Sequence, residues 1–462
     1  MGIFNIYVLI IILALLANCS GNQNTTQKYS QESTSRSIQS LVEVIKTSQK
    51  VEERILAQEK LETLITSDEL ADLLRKEIID GDLELKDRIR QILVLFEDKK
   101  RGSIAFERNG QIYLSNHRGD NIRQLTKSAE QKLKPSFIHN GTKMFFNVLK
   151  SDEKALKEGV KGGSLYIVSY IIDIDGSNET LLPSSDFSVH PWDDKIAYAQ
   201  GKEHGIFLYD LKTGKQKQLT SGHSDHNPVF SPDGKSIAFV SLRAEDDSQK
   251  TFRDQVCLVD TDKSNVTQLT TKGGSGPMKI SHCGKYLIYI KSGEYSSALI
   301  EFNTKIEIDL PVGREHQFTP DGKKVLYQHL DAPGRGCQIL LYDIEGKKQY
   351  EFASDRDNIY PVFNSNGSKL AYISNRSFKI DLYITDGMNE QLLAQSEGHL
   401  QKSSAVRPYF SPDGKSIVFV SYKALSESQF CPEVRIIDTN GKNEINLGNG
   451  TNPVWGPALM SK

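Results

Sequence analysis

The chain has 462 residues, of which 38% are hydrophobic and 25% charged, a composition typical of soluble globular protein. This length suits two or three domains or one large repeat array. The formal net charge of −2 argues against a nucleic-acid partner, which normally meets a basic face. Five cysteines occur without a C-x-x-C pair, so the sequence predicts no zinc site and no cofactor. Four of them are expected to be mostly small buried residues, with disulfide pairing left open: Cys257, Cys283, Cys337 and Cys431.

The first 19 residues have the pattern of a secretion signal. Residues 1–17 are almost entirely apolar and lead into the sequence LANCS, and a short apolar run before a small-residue site is typical of a signal peptide. Leu-Ala-x-Cys resembles the lipobox of bacterial lipoproteins, in which Cys19 would carry the lipid anchor. Asn18 departs from the usual Gly or Ala, and no basic residue precedes the run, so an ordinary signal peptide or an uncleaved anchor is the alternative. Ser20 resembles an outer-membrane sorting signal, with the body facing the periplasm or the cell surface.

Two further segments precede the repeats. Residues 20–34 are polar and are predicted to be a flexible tether. Residues 35–98 carry apolar side chains at helical spacing and predict three or four short helices in one small domain. A capping box at 66–69 would open one helix, and Gly81 would end it. This domain is expected either to dock a partner or to act as a structural cap.

From residue 102 one phrase recurs along the chain. The clearest copies are NPVFSPDGKSIAFVS at 227–241 and RPYFSPDGKSIVFVS at 407–421. An apolar or aromatic anchor before the turn marks each copy, about 45 residues apart on average, which is the spacing of a propeller or a related array. The eight anchors are Phe137, Val189, Phe230, Ile280, Phe318, Phe363, Phe410 and Trp455.

Each copy predicts one four-stranded antiparallel blade. Pro-Asp-Gly supplies a tight turn, because Pro presets φ and Gly accepts a positive φ. The alternating residues after it make a second strand, a third strand follows, and a fourth strand ends in Gln-Leu-Thr at Thr126, Thr220 and Thr270. The first repeat lacks its innermost strand and the last residues supply one. We therefore predict an all-β propeller over 102–457, with eight blades closed by both chain ends and seven as the alternative.

The repeat PxFSPDGxxIAFxS with its Gln-Leu-Thr strand resembles the TolB-like propeller family and its WD-like repeats. That resemblance implies a cell-envelope scaffold or adaptor that binds other proteins, possible partners including peptidoglycan-associated lipoproteins, with attachment to the membrane through the lipid anchor. TolB itself has fewer blades and a different N-terminal domain. Similar propellers also precede the hydrolase domain of prolyl oligopeptidases, but no G-x-S-x-G motif occurs here, so we expect no peptidase. A monomeric, non-enzymatic propeller is the prediction.

The residue that precedes the Pro position in each innermost strand is predicted to face one mouth of the central channel. These residues form a polar ring of mixed sign, which could bind a peptide or loop or could simply be a hydrated entrance. The ring comprises Lys134, Asp186, Asn227, Glu315, Tyr360, Arg407 and Asn452, with Pro277 in the remaining repeat.

One loop, SGHSDHNP, groups His223, Asp225 and His226, and His316 and His399 lie in comparable loops. Imidazole and carboxylate groups suit zinc or manganese. Oligogalacturonate lyases resemble this repeat type and use metal-bound histidines, so a metal-dependent polysaccharide lyase or another propeller enzyme is the enzymatic alternative. Solvated loop histidines without a metal are the interpretation that we favour.

Overall fold

The computed structural model divides the chain into two compact units, Met1–Lys100 with Met460–Lys462, and Arg101–Leu459. Among the residues that the structure describes, no helix combines the length and apolar character needed to cross a membrane. The predicted signal sequence and Cys19 lie outside the described residues. Those residues are 23–48, 51–65, single residues and pairs between 70 and 99, 101–138, 141–151, 165–191, 193–200, 205–221, 224–244, 252–270, 273–291, 296–330, 337–353, 358–375, 379–398, 406–426 and 429–458.

The N-terminal unit is helical and has its own apolar core. Helix α1 spans Gln23–Thr47 and helix α2 spans Val51–Leu64. Further helical residues occur between 70 and 99, whereas the predicted capping box and Gly81 fall outside the described residues. The core side chains recur three or four residues apart within each segment, as helical amphipathicity requires. They are Ile38, Val42, Ile45, Ala57, Leu61, Ile65, Ala71, Leu74, Leu85, Ile89, Ile92 and Phe96.

The structure differs from the predicted tether. Helix α1 begins at Gln23, so most of the segment 20–34 is helical. The segment is polar and Ser, Thr and Asn make up about half of it, but it contains neither Pro nor Gly after Gly21, and its three Gln, one Lys and one Glu tolerate a helix well. The helix therefore extends toward the N-terminus from the apolar face that Ile38, Val42 and Ile45 anchor.

The second unit is an eight-bladed β-propeller in which, over the described residues, eight four-stranded antiparallel sheets form the blades. The first blade contains β1 (Ser103–Arg108), β2 (Gln111–Asn116), β3 (Arg123–Gln124) and the last strand of the chain. The second to fourth blades contain β4 (Lys132–Ile138), β5 (Lys143–Ser151), β6 (Leu165–Asp173), β7 (Thr180–Leu181), β8 (Phe187–Val189), β9 (Lys195–Gln200), β10 (Gly205–Asp210), β11 (Gln216–Gln218), β12 (His226–Phe230), β13 (Ser236–Ala244), β14 (Phe252–Asp260) and β15 (Val266–Gln268). The fifth and sixth contain β16 (Ser275–Ile280), β17 (Tyr286–Ile290), β18 (Ser297–Glu301), β19 (Glu307–Asp309), β20 (Arg314–Phe318), β21 (Lys324–Leu330), β22 (Cys337–Asp343) and β23 (Lys348–Ala353). The seventh and eighth contain β24 (Asn358–Phe363), β25 (Leu370–Ser374), β26 (Asp381–Thr385), β27 (Glu390–Ala394), β28 (Tyr409–Phe410), β29 (Ser416–Ala424), β30 (Phe430–Asp438) and β31 (Ile445–Asn449), and β32 (Thr451–Trp455) completes the first blade.

The two ends of the propeller close the ring together, as predicted. Strand β32 pairs antiparallel with β1, with Ile104 opposite Trp455 and Ala105 opposite Val454. The indole N–H of Trp455 donates a hydrogen bond of 2.6 Å to the carbonyl oxygen of Arg101. The β1 edge that would otherwise be open is thereby paired, and an open edge of this kind invites aggregation.

The Ser-Pro-Asp-Gly phrase at 231–234 forms a turn after innermost strand β12 that is held by its own hydrogen bonds. The Ser231 hydroxyl donates to Asp233 Oδ1 at 2.6 Å, and Lys235 N donates to the same oxygen at 3.1 Å. These bonds lower the pKa of Asp233, because they favour its charged form. Gly234 has a φ of 71°, and a Cβ there would lie 2.2 Å from Nε2 of His190 in the preceding blade. The glycine is therefore needed for both the turn and the close contact between blades.

The Gln-Leu-Thr phrase fastens the outermost strand of a blade. The Thr220 hydroxyl accepts a 2.9 Å bond from Ile206 N, and Gln218 Nε2 donates at 3.0 Å to the Thr220 carbonyl. Leu219 is buried between blades. The same two bonds recur at Thr126 and Thr270.

The core lies between successive blades and is built on the second strand of each. One aromatic ring per blade is 2% exposed or less, and burying a ring of this size contributes about 1.5–3 kcal/mol. The eight rings are Phe106, Phe146, Tyr198, Phe239, Tyr289, Tyr327, Tyr372 and Phe419.

Candidate binding site at the channel mouth

The predicted ring residues lie at the start of the innermost strands, which all begin at the same end of the propeller. Five lie within their strands, whereas Asp186 directly precedes β8 and Arg407 lies two residues before β28. The five are Lys134, Asn227, Glu315, Tyr360 and Asn452. We call the seven residues together the mouth ring.

Those same five residues have left-handed backbone, which the sequence reasoning missed. Their φ values lie between 47° and 55°. In each of their strands the pairing register shifts at this point, as in a β-bulge. Asn tolerates a positive φ, but Lys, Glu and Tyr rarely adopt one, so the surrounding fold must impose it. Bulges of this kind redirect side chains and concentrate near functional sites.

Two carboxylates in the mouth bond to the backbone of the next blade. Asp186 Oδ2 accepts a 2.8 Å bond from Asn227 N. Glu107 Oε1 accepts bonds of 2.5 Å from Lys134 N and 2.8 Å from Asn452 Nδ2. Burial raises the pKa of Glu107, although these hydrogen bonds oppose the shift. Asp186 therefore supports the ring structurally, and Glu107 is a member of the site that no sequence motif marks.

An ion pair joins two ring residues that belong to non-adjacent blades. Arg407 Nη2 of the eighth blade lies 2.6 Å from Glu315 Oε2 of the sixth. Between them, in the seventh blade, the Tyr360 ring lies under the guanidinium at 5.4 Å from its centroid. This distance is within the range of a cation–π interaction. The pair and the ring thus connect three blades across the mouth.

Lys279 is a second cation beside this pair, and the sequence reasoning did not select it. It lies in β16, in the position that Val229 and Val362 occupy in their own strands, and its Nζ donates a 2.8 Å bond to the His316 carbonyl. The Lys279 side chain is exposed to solvent, but it lines two cavities and nearby protein atoms partly desolvate its ammonium. This desolvation lowers the pKa of Lys279, which Glu315 raises and Arg407 lowers further.

No protein-family model matches the chain. It is 22% identical over 269 residues to the Tol-Pal system protein TolB of Francisella tularensis subsp. mediasiatica, a match covering 54% of this chain and 60% of that protein. Together with the repeats and the eight closed blades, this match indicates the class of propeller to which the second unit is similar. The propeller is TolB-like. The chain thus spans less than two thirds of the curated relatives that it matches first.

Two other likenesses reflect the shared repeat and fold. An uncharacterized peptidase, YuxL of Bacillus subtilis, is 27% identical over 177 residues, which cover 37% of this chain but 25% of that protein. A solved structure described as a eukaryotic initiation factor aligns with a TM-score of 0.52 at 10% identity, covering 78% of this chain and all of that one. At that identity the second likeness shows the fold alone.

Three cavities open along the channel of the TolB-like propeller. One of about 450 Å³ is lined by Lys134, Arg407, Tyr409 and Trp455 among others. Another of about 450 Å³ includes Lys279, Glu315 and His316, and a larger one of about 1370 Å³ continues from Lys279 toward the Pro-Asp-Gly turns. Lys279 therefore lies where the mouth meets the channel.

The predicted His/Asp loop has mainly structural contacts in the TolB-like propeller. Asp225 is buried, one of its carboxylate oxygens accepts a 2.5 Å bond from the Ser241 hydroxyl, and the other accepts from Thr220. His226 Nδ1 lies 2.9 Å from the Ser224 carbonyl. His223 and His399 lie outside the described residues, within which no three potential ligands are grouped closely enough to hold a metal ion.

The His316 side chain likewise makes structural contacts within the wall of the channel. Its Nε2 lies 3.1 Å from the Pro311 carbonyl, and its ring stacks on Tyr327 at 5.4 Å. Burial lowers the pKa of His316, so its neutral form is favoured. His316 therefore has a structural role in the channel wall. Binding at the mouth ring would depend instead on its cations, hydrogen-bond donors and aromatic rings.

Proposed function

We propose that this chain is a lipid-anchored protein of the cell envelope whose TolB-like propeller acts as a protein-binding scaffold or adaptor. The observation that carries the proposal is the mouth ring. Five bulged strands direct side chains into one opening, and Arg407, Tyr360 and Glu315 connect across it. Rigid elements that present side chains to a shared opening are well suited to recognising a partner segment.

The relatives suggest the class of partner that we propose. The first curated matches are TolB proteins of a Tol-Pal system, and a mouth of this chemistry suits a segment of another envelope protein, such as a peptidoglycan-associated lipoprotein. Cys19 would be the lipidated residue, which would hold the protein at the outer membrane, since each buried methylene contributes about 0.8 kcal/mol. The helical unit would serve as a second docking module or as a structural cap.

The test is crosslinking and affinity capture of the lipidated protein from its native envelope. Wild type is compared with Arg407→Gln, Tyr360→Ala and Cys19→Ala forms. Lys348→Gln is the matched control, because it removes one positive charge from exposed outer strand β23. We expect a peptidoglycan-associated lipoprotein among the captured proteins, retained by the Lys348 variant and lost from the two mouth variants.

Two results would count against this function. Capture that is the same for wild type and both mouth variants would remove the mouth from recognition. Manganese-dependent release of unsaturated uronate from oligogalacturonate by the purified protein would instead identify a polysaccharide lyase. The Cys19 variant separates the anchor from the mouth, since it should lose membrane association and keep binding in detergent extracts.

A further inference from the structure

Three charged side chains from three blades meet at the inner end of the mouth. Arg407 and Glu315 form the 2.6 Å ion pair, and Lys279 stands on the neighbouring wall, with its ammonium fixed to the His316 carbonyl. Glu315 and Arg407 both act electrostatically on Lys279. Within the described residues Glu315 forms its ion pair with Arg407 and none with Lys279, so two cations lie near one carboxylate and one positive charge is left in excess.

Both cations keep hydrogen-bond donors to spare. A guanidinium carries five N–H donors and an ammonium three. Within the described part of the chain, Arg407 donates one hydrogen bond, to Glu315, and Lys279 donates one, to His316. The Tyr360 ring supports one face of the guanidinium and leaves its edge open. The remaining donors are therefore available for an incoming acceptor.

The present partner of Arg407 is weakly held. The side chains of Arg407 and Glu315 are 31% and 39% exposed, and a solvent-reached ion pair of this kind contributes only about 0–1 kcal/mol. Glu315 also has a φ of 55°, so its position depends on a bulge that the fold imposes. Another carboxylate could replace Glu315 at little cost.

We propose that Arg407 and Lys279 form a carboxylate-binding site for a peptide segment of the partner, and that Glu315 is a built-in competitor which the bound carboxylate displaces. This inference rests on the proposed protein-binding function and names the chemistry of the segment. The group recognised is an Asp or Glu side chain or a chain-terminal carboxylate. The flat Arg fork fits either one through two parallel hydrogen bonds.

The surroundings favour a peptide over a small free anion. The cavity of about 450 Å³ beside Arg407 is lined by Tyr409, Val454 and Trp455 as well as by polar groups. These side chains offer apolar surface to the residues next to the carboxylate, and aromatic rings with a central Arg are typical of protein-binding sites.

The experiment measures peptide affinity by calorimetry at low salt. The probe is a short glycine–glutamate peptide with both ends blocked, and its control replaces glutamate by glutamine. We expect the glutamate peptide to bind weakly to wild type and about fivefold more tightly to Glu315→Gln, which is about 1 kcal/mol, the upper end of what an exposed ion pair contributes. Arg407→Gln and Lys279→Met should each lose at least tenfold, and Lys348→Gln should bind as wild type does.

The gain in Glu315→Gln is the decisive result, because misfolding cannot produce tighter binding. Unchanged or weaker binding by that variant would overturn the competitor role, and equal binding of the glutamine peptide would overturn carboxylate recognition. A peptide with a free C-terminus in place of glutamate distinguishes the two sources of the carboxylate. Binding of oligogalacturonate but of neither peptide would also overturn the proposal.

Failure here and failure of the proposed function are distinguishable. Envelope capture that depends on Tyr360 and Arg407, together with no preference for the glutamate peptide, would keep the adaptor and reject the carboxylate site. Loss of the mouth-dependent envelope capture together with loss of the preference for the glutamate peptide would reject both the adaptor function and the carboxylate site. Because exposed charges are screened by salt, the affinity for the glutamate peptide should also fall as salt rises, and a salt-independent affinity would contradict the inference.

Discussion

Replacing Trp455 by Ala should open the propeller at its seam. Trp455 is 8% exposed, pairs with Ile104 across the β1–β32 ladder and donates to the Arg101 carbonyl. A ring of this size buries roughly 200 Å², which at about 25 cal/mol per Å² gives an upper bound near 5 kcal/mol. Buried Trp-to-Ala changes cost about 3–5 kcal/mol. We expect Trp455→Ala to fall in that range.

Two readouts separate loss of closure from general loss of packing. Urea denaturation gives the free energy of unfolding, and hydrogen exchange reports the amides of β1 and β32. Phe410→Ala is the matched control, because Phe410 is the equivalent anchor in the eighth blade and packs toward the seventh blade. Only the Trp455 variant should lose protection at Ile104 and Ala105 first. Trp455→Phe should cost about 1–3 kcal/mol, since the Arg101 carbonyl loses its donor.

The reasoning is refuted if Trp455→Ala costs less than about 1 kcal/mol, or if β1 keeps its exchange protection in that variant while the rest of the propeller loosens. Either result would mean that the pairing of the two chain ends contributes little to holding the ring closed. The stability of the ring would then come from packing between the blades alone, which the Phe410 variant measures.

Two further changes test other parts of the propeller. Gly234→Ala should lower the free energy of unfolding by at least about 1 kcal/mol more than Gly214→Ala does. Both glycines have a positive φ, but a Cβ at 234 would lie 2.2 Å from His190, whereas one at 214 meets nothing closer than 3.7 Å. Equal losses in urea denaturation would contradict the contact between blades. Burial raises the pKa of Glu107, so its stabilising contribution is full below the unfolded pKa of about 4.3 and is lost as pH rises through the folded value. Glu107→Gln, whose carbonyl can keep the Oε1 bonds, should therefore gain stability relative to wild type as pH rises toward neutral, and parallel stability curves for the two proteins would rule this out.

Much of the fold could be predicted because its information is local and repeated. Pro-Asp-Gly specifies a turn through the intrinsic preferences of three residues, as the bonds of Asp233 and the positive φ of Gly234 illustrate. Gln-Leu-Thr specifies a strand end through one amide, one apolar side chain and one hydroxyl. Recurrence at about 45 residues then gives the number of blades, and the incomplete first and last copies give the closure.

The candidate site was only partly predictable. The mouth ring follows from strand position, since equivalent positions in repeated strands must share one end of the channel. Lys279 was missed because its repeat carries Lys where the clearest repeats carry Val229 or Tyr409, and because it departs from the consensus around Pro277. Glu107 was missed because its partners, Lys134 and Asn452, lie in a neighbouring blade and at the far end of the chain.

The sequence by itself determined the repeat, the four-stranded blade and the seam between the chain ends, because these depend on turn residues, strand alternation and spacing. The tertiary structure alone decided which charges meet. Glu315 and Arg407 are 92 residues apart in the chain and 2.6 Å apart in space. No local preference encodes that distance: it arises only when eight blades close around one axis and bring the starts of their innermost strands together. Tertiary packing also decided the helix that begins at Gln23. Its polar first part is helical because the apolar face that follows it is packed in the core.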